Sequence, residues 1–192
     1  MRLQSSQVSG FVVAALLLLG AGSVDADSKN PYYATPAWDQ QLSTSNRFVV
    51  LPNWVDPNFP SGGAAVLDLE TGLVWERSPS TDTSSWTDAS FHCNKLTVGN
   101  RMGWRLPTVQ DLASLIDPTV SVLPPLPAGH PFMHVQSTIY WTATPDLLRP
   151  DDGIWAVFLN SSVIHVDSIS RDSILNIFPS WCVRGGQAAN AQ

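Results

Sequence analysis

The segment "GWRLPTVQDLASLID", Gly103 to Asp117, carries two structural instructions that meet at a proline. Pro107 biases Leu106 toward extended backbone. Thr108 can then accept from amides of a first helical turn, with Asp111 three residues on. Leu112, Leu115 and Ile116 fall at helical spacing and predict one apolar face, and Asp117-Pro118 ends the helix. The segment reads as a corner in which Pro107 sets the approach and Thr108 caps the helix beyond it. Arg105, wedged between Trp104 and Leu106, either braces that corner against an aromatic ring or backbone carbonyls, or binds an anionic ligand.

Upstream, "SSWTDASFHCNKL" (Ser84 to Leu96) predicts a second helix, capped by Ser85 with Asp88 at the third helical position. Trp86, Ala89, Cys93 and Leu96 recur at spacings of three or four and place Cys93 on the buried stripe. Before it, "AAVLDLETGLVWER" (Ala64 to Arg77) reads as a hairpin of strands 64–69 and 73–76. The strands are joined where Gly72 can take positive φ, and Val66, Leu73 and Trp75 face a core. Arg47 begins a short β-rich run, and a loop dense in proline and glycine comes after it, from Pro52 to Gly63.

Downstream of the corner, "SVLPPLPAGHPF" (Ser121 to Phe132) is longer than a simple connection needs, which marks it as a candidate contact surface. Then "IYWTAT", "IWAVFLN", "SVIHVDS" and "SWCVRG" read as short strands. The expectation is an α+β domain with an N-terminal hairpin, two consecutive helices, then antiparallel strands.

Residues 1–26 read as a secretory signal: Arg2 gives a positive start, Phe11 to Leu19 is an unbroken apolar run, and Val24-Asp25-Ala26 offers a cleavage site after Ala26. The run is shorter than the roughly 20 residues of a membrane helix, and no cysteine near the cleavage site offers a lipid attachment point. Residues 27–46 read as a linker or loosely docked arm, 47–186 as the domain, and 187–192 as a disordered tail. The expected localisation is secreted or periplasmic. Export assigns the two cysteines, Cys93 and Cys182, to a disulfide, because an isolated pair in an oxidising compartment bonds to itself.

The formal net charge is −6, which argues against nucleic-acid or anionic-membrane partners. Charged residues make up only 14% of the chain while tryptophan numbers eight, so a substantial core is expected with aromatic side chains left near the surface.

Five ordered motifs, "DLETGLVWER", the Trp86 and Cys93 of "SWTDASFHCNKL", "GWRLPTVQDLASLID", "YWTAT" and "WCVR", resemble the bacterial Lcl C-terminal-like domain family over about Arg47 to Arg184. That family is named for the head domain of a collagen-like surface adhesin. The resemblance implies a C-type-lectin-like fold related to sulfatase-modifying factors, with a disulfide from helix to last strand that Cys93 and Cys182 match. Many members carry an aspartate where this chain has Gly103, so that carboxylate's role does not carry over. The adhesin relative implies binding of anionic glycosaminoglycans, which the net charge opposes unless Lys95, Arg101 and Arg105 cluster.

No C-x-x-C, H-E-x-x-H or G-x-S-x-G pattern occurs, so zinc and serine-hydrolase chemistry lack their ligand and nucleophile arrangements. His130 and His134 are separated by Pro131 and share no helix face. Asp151-Asp152 is the one cluster that could suggest calcium, and reads as an exposed acidic turn. Cys93 beside His92 could suggest a thiolate pair, but helix neighbours point about 100° apart, and an oxidase role would need free thiols. Function then falls to the aromatic residues, whose faces stack on sugar rings. Trp75, Trp104, Trp141 and Trp181 are assigned to the core. Trp38, Trp54 and Trp155, with Arg105, are the ligand-binding candidates. The expected function is that of an exported, non-enzymatic module binding an extracellular glycan or surface protein, without a required cofactor. The alternatives are a protein-interaction component of an envelope assembly and a sulfatase-modifying-factor-like oxidase.

Overall fold

The computed structural model describes residues 42–161, 163–173 and 175–185. The signal segment, Trp38, most of the 27–46 arm and the 187–192 tail lie outside them. The last residues of that arm form the start of a single helical turn, α1 (Thr44–Arg47), which runs directly into β1 (Phe48–Val50).

The predicted hairpin is present as β2 (Ala65–Asp68) and β3 (Val74–Glu76), with β1 added antiparallel to β2. Gly72 turns the hairpin with φ +68°. Helix α2 (Trp86–Lys95) starts where its sequence signal lies, with the Asp88 amide donating to Ser85 Oγ at 3.2 Å. Helix α3 (Val109–Ala113) carries the reciprocal cap: the Asp111 amide donates to Thr108 Oγ1 at 3.0 Å, and the Thr108 amide donates to Asp111 Oδ2 at 2.9 Å. The α-helix proper is shorter than its apolar spacing suggests. Tighter turns, in which the Leu115 amide donates to Leu112 and that of Ile116 to Ala113, carry the same buried face onward.

Ahead of that cap, Trp104 and Arg105 form a two-residue strand, β4, which the sequence did not announce as one. It pairs with β8 (Val183–Arg184), and β8 pairs with β3, so the first sheet has the order β1-β2-β3-β8-β4 with antiparallel neighbours throughout. Gly103 enters β4 at φ +87°, a conformation that penalises any side chain with a Cβ, which accounts for glycine at this position. The second sheet is β5 (Ile139–Pro145), β6 (Gly153–Phe158) and β7 (Val166–Ser170), also antiparallel. The strand read at 162–168 therefore begins later and extends to Ser170.

All four tryptophans assigned to the core are fully buried. Trp181 meets Trp75 and Phe132 edge to face at 5.5 and 4.9 Å, contacts worth about 0.5–1.5 kcal/mol each beyond area burial. The proline-rich loop contributes to this same cluster through Leu126 and Phe132, so much of it is core rather than free surface. A second cluster holds Ala89, Trp104, Leu106, Trp141 and the Cys93–Cys182 disulfide, which ties α2 to the residue preceding β8. Among the described residues, no helix is long and apolar enough to cross a membrane.

Candidate functional site

Where α2 ends beside the first sheet, a cleft of about 860 Å³ opens. One wall is the loop after β1, shaped by Asp56, whose Oδ1 accepts from the amides of Asn58 and Phe59, both at 2.7 Å. A second wall runs from Ser78 to Asp82, turned by the Asp82 amide donating to Ser80 Oγ at 3.1 Å. The remaining sides come from His92 on α2, from Thr97 and Asn100 beyond it, and from Met133 and His134. His134 adopts φ +55° and its Nδ1 is 3.1 Å from Ser78 Oγ, which links the proline loop to the second wall.

Glu76, the last residue of β3, lines the cleft while only 7% exposed. Its main chain and side chain both hold the end of the molecule. The Glu76 amide donates to the Cys182 carbonyl at 3.1 Å, the Trp181 indole donates to the Glu76 carbonyl at 2.9 Å, and the Cys182 amide donates to Oε2 at 2.7 Å. Burial pushes the Glu76 carboxyl up to about 8; the Cys182 amide pulls the other way and nearby Asp56 adds to the rise. The raised value favours the protonated carboxyl over the carboxylate at neutral pH.

His92 and the Cys182 sulfur lie within 4.8 Å of the Glu76 carboxyl. Cys182 is committed to the disulfide, so these three groups do not form a thiolate-containing metal set.

The residues singled out in the sequence lie elsewhere. Arg105 Nη1 donates to Asp111 Oδ2 at 2.8 Å and to the Leu106 carbonyl at 3.0 Å, and Nη2 to the Gly185 carbonyl at 2.9 Å, which is the bracing arrangement. Trp54 is half-buried edge to face on Trp104 at 6.1 Å, with Arg101 and Arg184 over its ring at 4.8 and 5.9 Å. Gly99 makes that seat possible, since a Cβ there would come within 2.5 Å of the indole. Trp155 is half-buried in β6 opposite Ser168. None of these three lines the cleft. Asp152 is held by Arg149 at 3.1 Å, and His130 packs near Phe132 rather than pairing with His134. Lys95 sits on the Phe91 ring at 3.9 Å, so the basic residues Lys95, Arg101 and Arg105 each rest on a different local partner.

A disulfide-pinned α+β module with a polar cleft beside its helix is the class these features define. The model of the Lcl C-terminal domain matches residues 64–184, and the chain belongs to that family. No curated protein sequence matches it. The matched span includes Glu76, Asp82, His92 and both cysteines, whereas Asp56 lies ahead of it.

Proposed function

We propose that this chain is an exported, non-enzymatic binding module of C-type-lectin-like design, and that a glycan occupies the cleft floored by Glu76. The composition of the lining carries this reading. Ser78, Ser80, Thr81 and Thr97 offer hydroxyls and Asn58 and Asn100 offer amides, groups that exchange hydrogen bonds with sugar hydroxyls in either direction. The volume falls in the range of small-ligand sites, roughly 300–1,000 Å³. Among the described residues the lining includes Asp56, Glu76 and Asp82 but no lysine or arginine, so sulfated or otherwise anionic glycans are disfavoured. Export rests on the apolar run from Phe11 to Leu19 and on the disulfide. A glycan array run beside hydrolysis and thiol-oxidation assays tests the proposal. Retention of an uncharged or cationic glycan without turnover is expected, and turnover without stable binding contradicts it.

Exposed Val122 and Leu123, 75% and 42% accessible, favour a second reading in which the proline loop contacts an envelope protein. Deleting the loop would remove core residue Leu126, so Val122→Asp with Leu123→Asp is the cleaner test. Loss of a partner from envelope pull-downs with glycan retention unchanged would favour this reading.

A further inference from the structure

Resting on the reading that a glycan occupies the cleft, we infer that the floor of the cleft recognises a primary ammonium group carried by an amino sugar, with Glu76 as the residue that receives it. Glu76 is more than nine-tenths buried, yet it lines the cleft, and only one of its carboxyl oxygens is engaged: Oε2 accepts from the Cys182 amide. Oε1 has no hydrogen-bond partner among the described residues. Oε1 is open to the cleft rather than sealed in the core, and an incoming donor takes the place of solvent there.

The charges around this floor define the donor. Asp56 on the loop after β1 and Asp82 ahead of α2 are the other acids of the lining, His92 and His134 are its titratable nitrogens, and among the described residues no lysine or arginine lines it. Arg77, the nearest cation along the chain, is turned to the carbonyls of Pro131 and Gly63 and lies over the Phe59 ring. Two aspartates and a carboxyl able to ionise favour a cation over a neutral donor. The surrounding hydroxyls and amides favour a cation borne on a sugar over one on an aliphatic side chain.

Burial keeps Glu76 protonated until a positive charge arrives. When the ammonium docks, the O–H bond of Glu76 breaks, its proton leaves to solvent, and a carboxylate–ammonium pair remains. The ligand keeps all of its own protons, and no other covalent bond changes.

Isothermal titration calorimetry at pH 5.5, where the amines of the amino sugar are already protonated, in two buffers of different ionisation enthalpy, tests this with the full chain after signal removal. The probes are a β-1,4-linked glucosamine tetramer, its fully N-acetylated counterpart, a β-1,4-linked glucose tetramer and tetralysine. The glucosamine tetramer is expected to bind at least tenfold more tightly than the other two saccharides, with net release of up to one proton. Glu76→Gln keeps the acceptor for the Cys182 amide and is expected to lose that preference and the proton release. Asp82→Asn, on an exposed residue, is expected to weaken the glucosamine tetramer alone by a few-fold. Equal affinity for the three saccharides overturns amine recognition while leaving glycan binding intact. Binding of tetralysine with no saccharide binding overturns both, as does absence of all binding. Unchanged proton release in a folded Glu76→Gln variant also overturns the inference.

Discussion

Two acids are buried in the first sheet, and the molecule treats them oppositely. Asp68, at the end of β2, is fully enclosed and meets Arg47 in a two-point pair, Nε to Oδ1 at 2.9 Å and Nη2 to Oδ2 at 2.8 Å. Arg47 also donates to the Ser114 carbonyl at 2.9 Å, and Glu70 lies 3.3 Å from its Nε. This network fastens the start of the domain to the turns beyond α3. Glu76, at the end of β3, accepts instead from a backbone amide and has no lysine or arginine paired with it among the described residues. The first acid is paired with a cation and serves cohesion. The second lies beside a cleft, and burial raises its affinity for a proton.

The largest effect expected from breaking this contrast is at the paired site. Arg47→Met takes the paired cation from Asp68, and removal of one partner from a buried pair costs about 3–5 kcal/mol. Urea unfolding of Arg47→Met and of Glu76→Gln at pH 5 should separate the two, with the second variant losing less than about 1 kcal/mol because its amide keeps the acceptor. Similar losses in both would erase the distinction.

The disulfide anchors the residue that satisfies Glu76. With a sequence separation of 89, its removal by Cys93→Ala and Cys182→Ala together should cost about 2–5 kcal/mol. A hairpin that stays folded while the Glu76 region loosens, read by amide hydrogen exchange, would place that cost at the cleft end of the sheet.

pH sharpens the comparison further. Because the folded-state value for Glu76 is raised from 4.5 to about 8, the folded protein holds this proton more tightly than the unfolded chain. The associated stability is fully present below pH 4.5 and is lost as pH climbs to about 8, with a slope of at most roughly 1–2 kcal/mol per pH unit. Thermal unfolding between about pH 5 and 9 should show that decline in the wild type and a flatter profile in Glu76→Gln. Smaller still, Thr108→Ala should cost about 1 kcal/mol through loss of the α3 cap, independently of pH across this range.

Local signals in the sequence were sufficient for features that depend on a few neighbours. Ser85 and Thr108 mark helix starts, the Gly72 turn marks the hairpin, and Trp75, Trp104, Trp141 and Trp181 fall in the core. What escaped was long-range. Nothing near Trp104 announces that it will pair with Arg184, and nothing near Arg47 points to Asp68. Glu76 stood in plain view at the end of "DLETGLVWER". Its character comes from the Cys182 amide and from burial by segments far along the chain, so local alternation could not distinguish it from an ordinary solvated glutamate. The aromatic emphasis misled for the same reason: Trp54 is conspicuous in sequence, yet Trp104, Arg101 and Arg184 occupy its surroundings.

Glu76 as a neutral acid at the floor of the cleft is the property on which both the proposed amine recognition and the expected pH behaviour depend. A carbon-detected NMR titration of its side-chain carboxyl, assigned by comparison with Glu76→Gln, measures this directly. The midpoint is expected near pH 8; a midpoint near 4.5, that of an ordinary solvated glutamate, would contradict it.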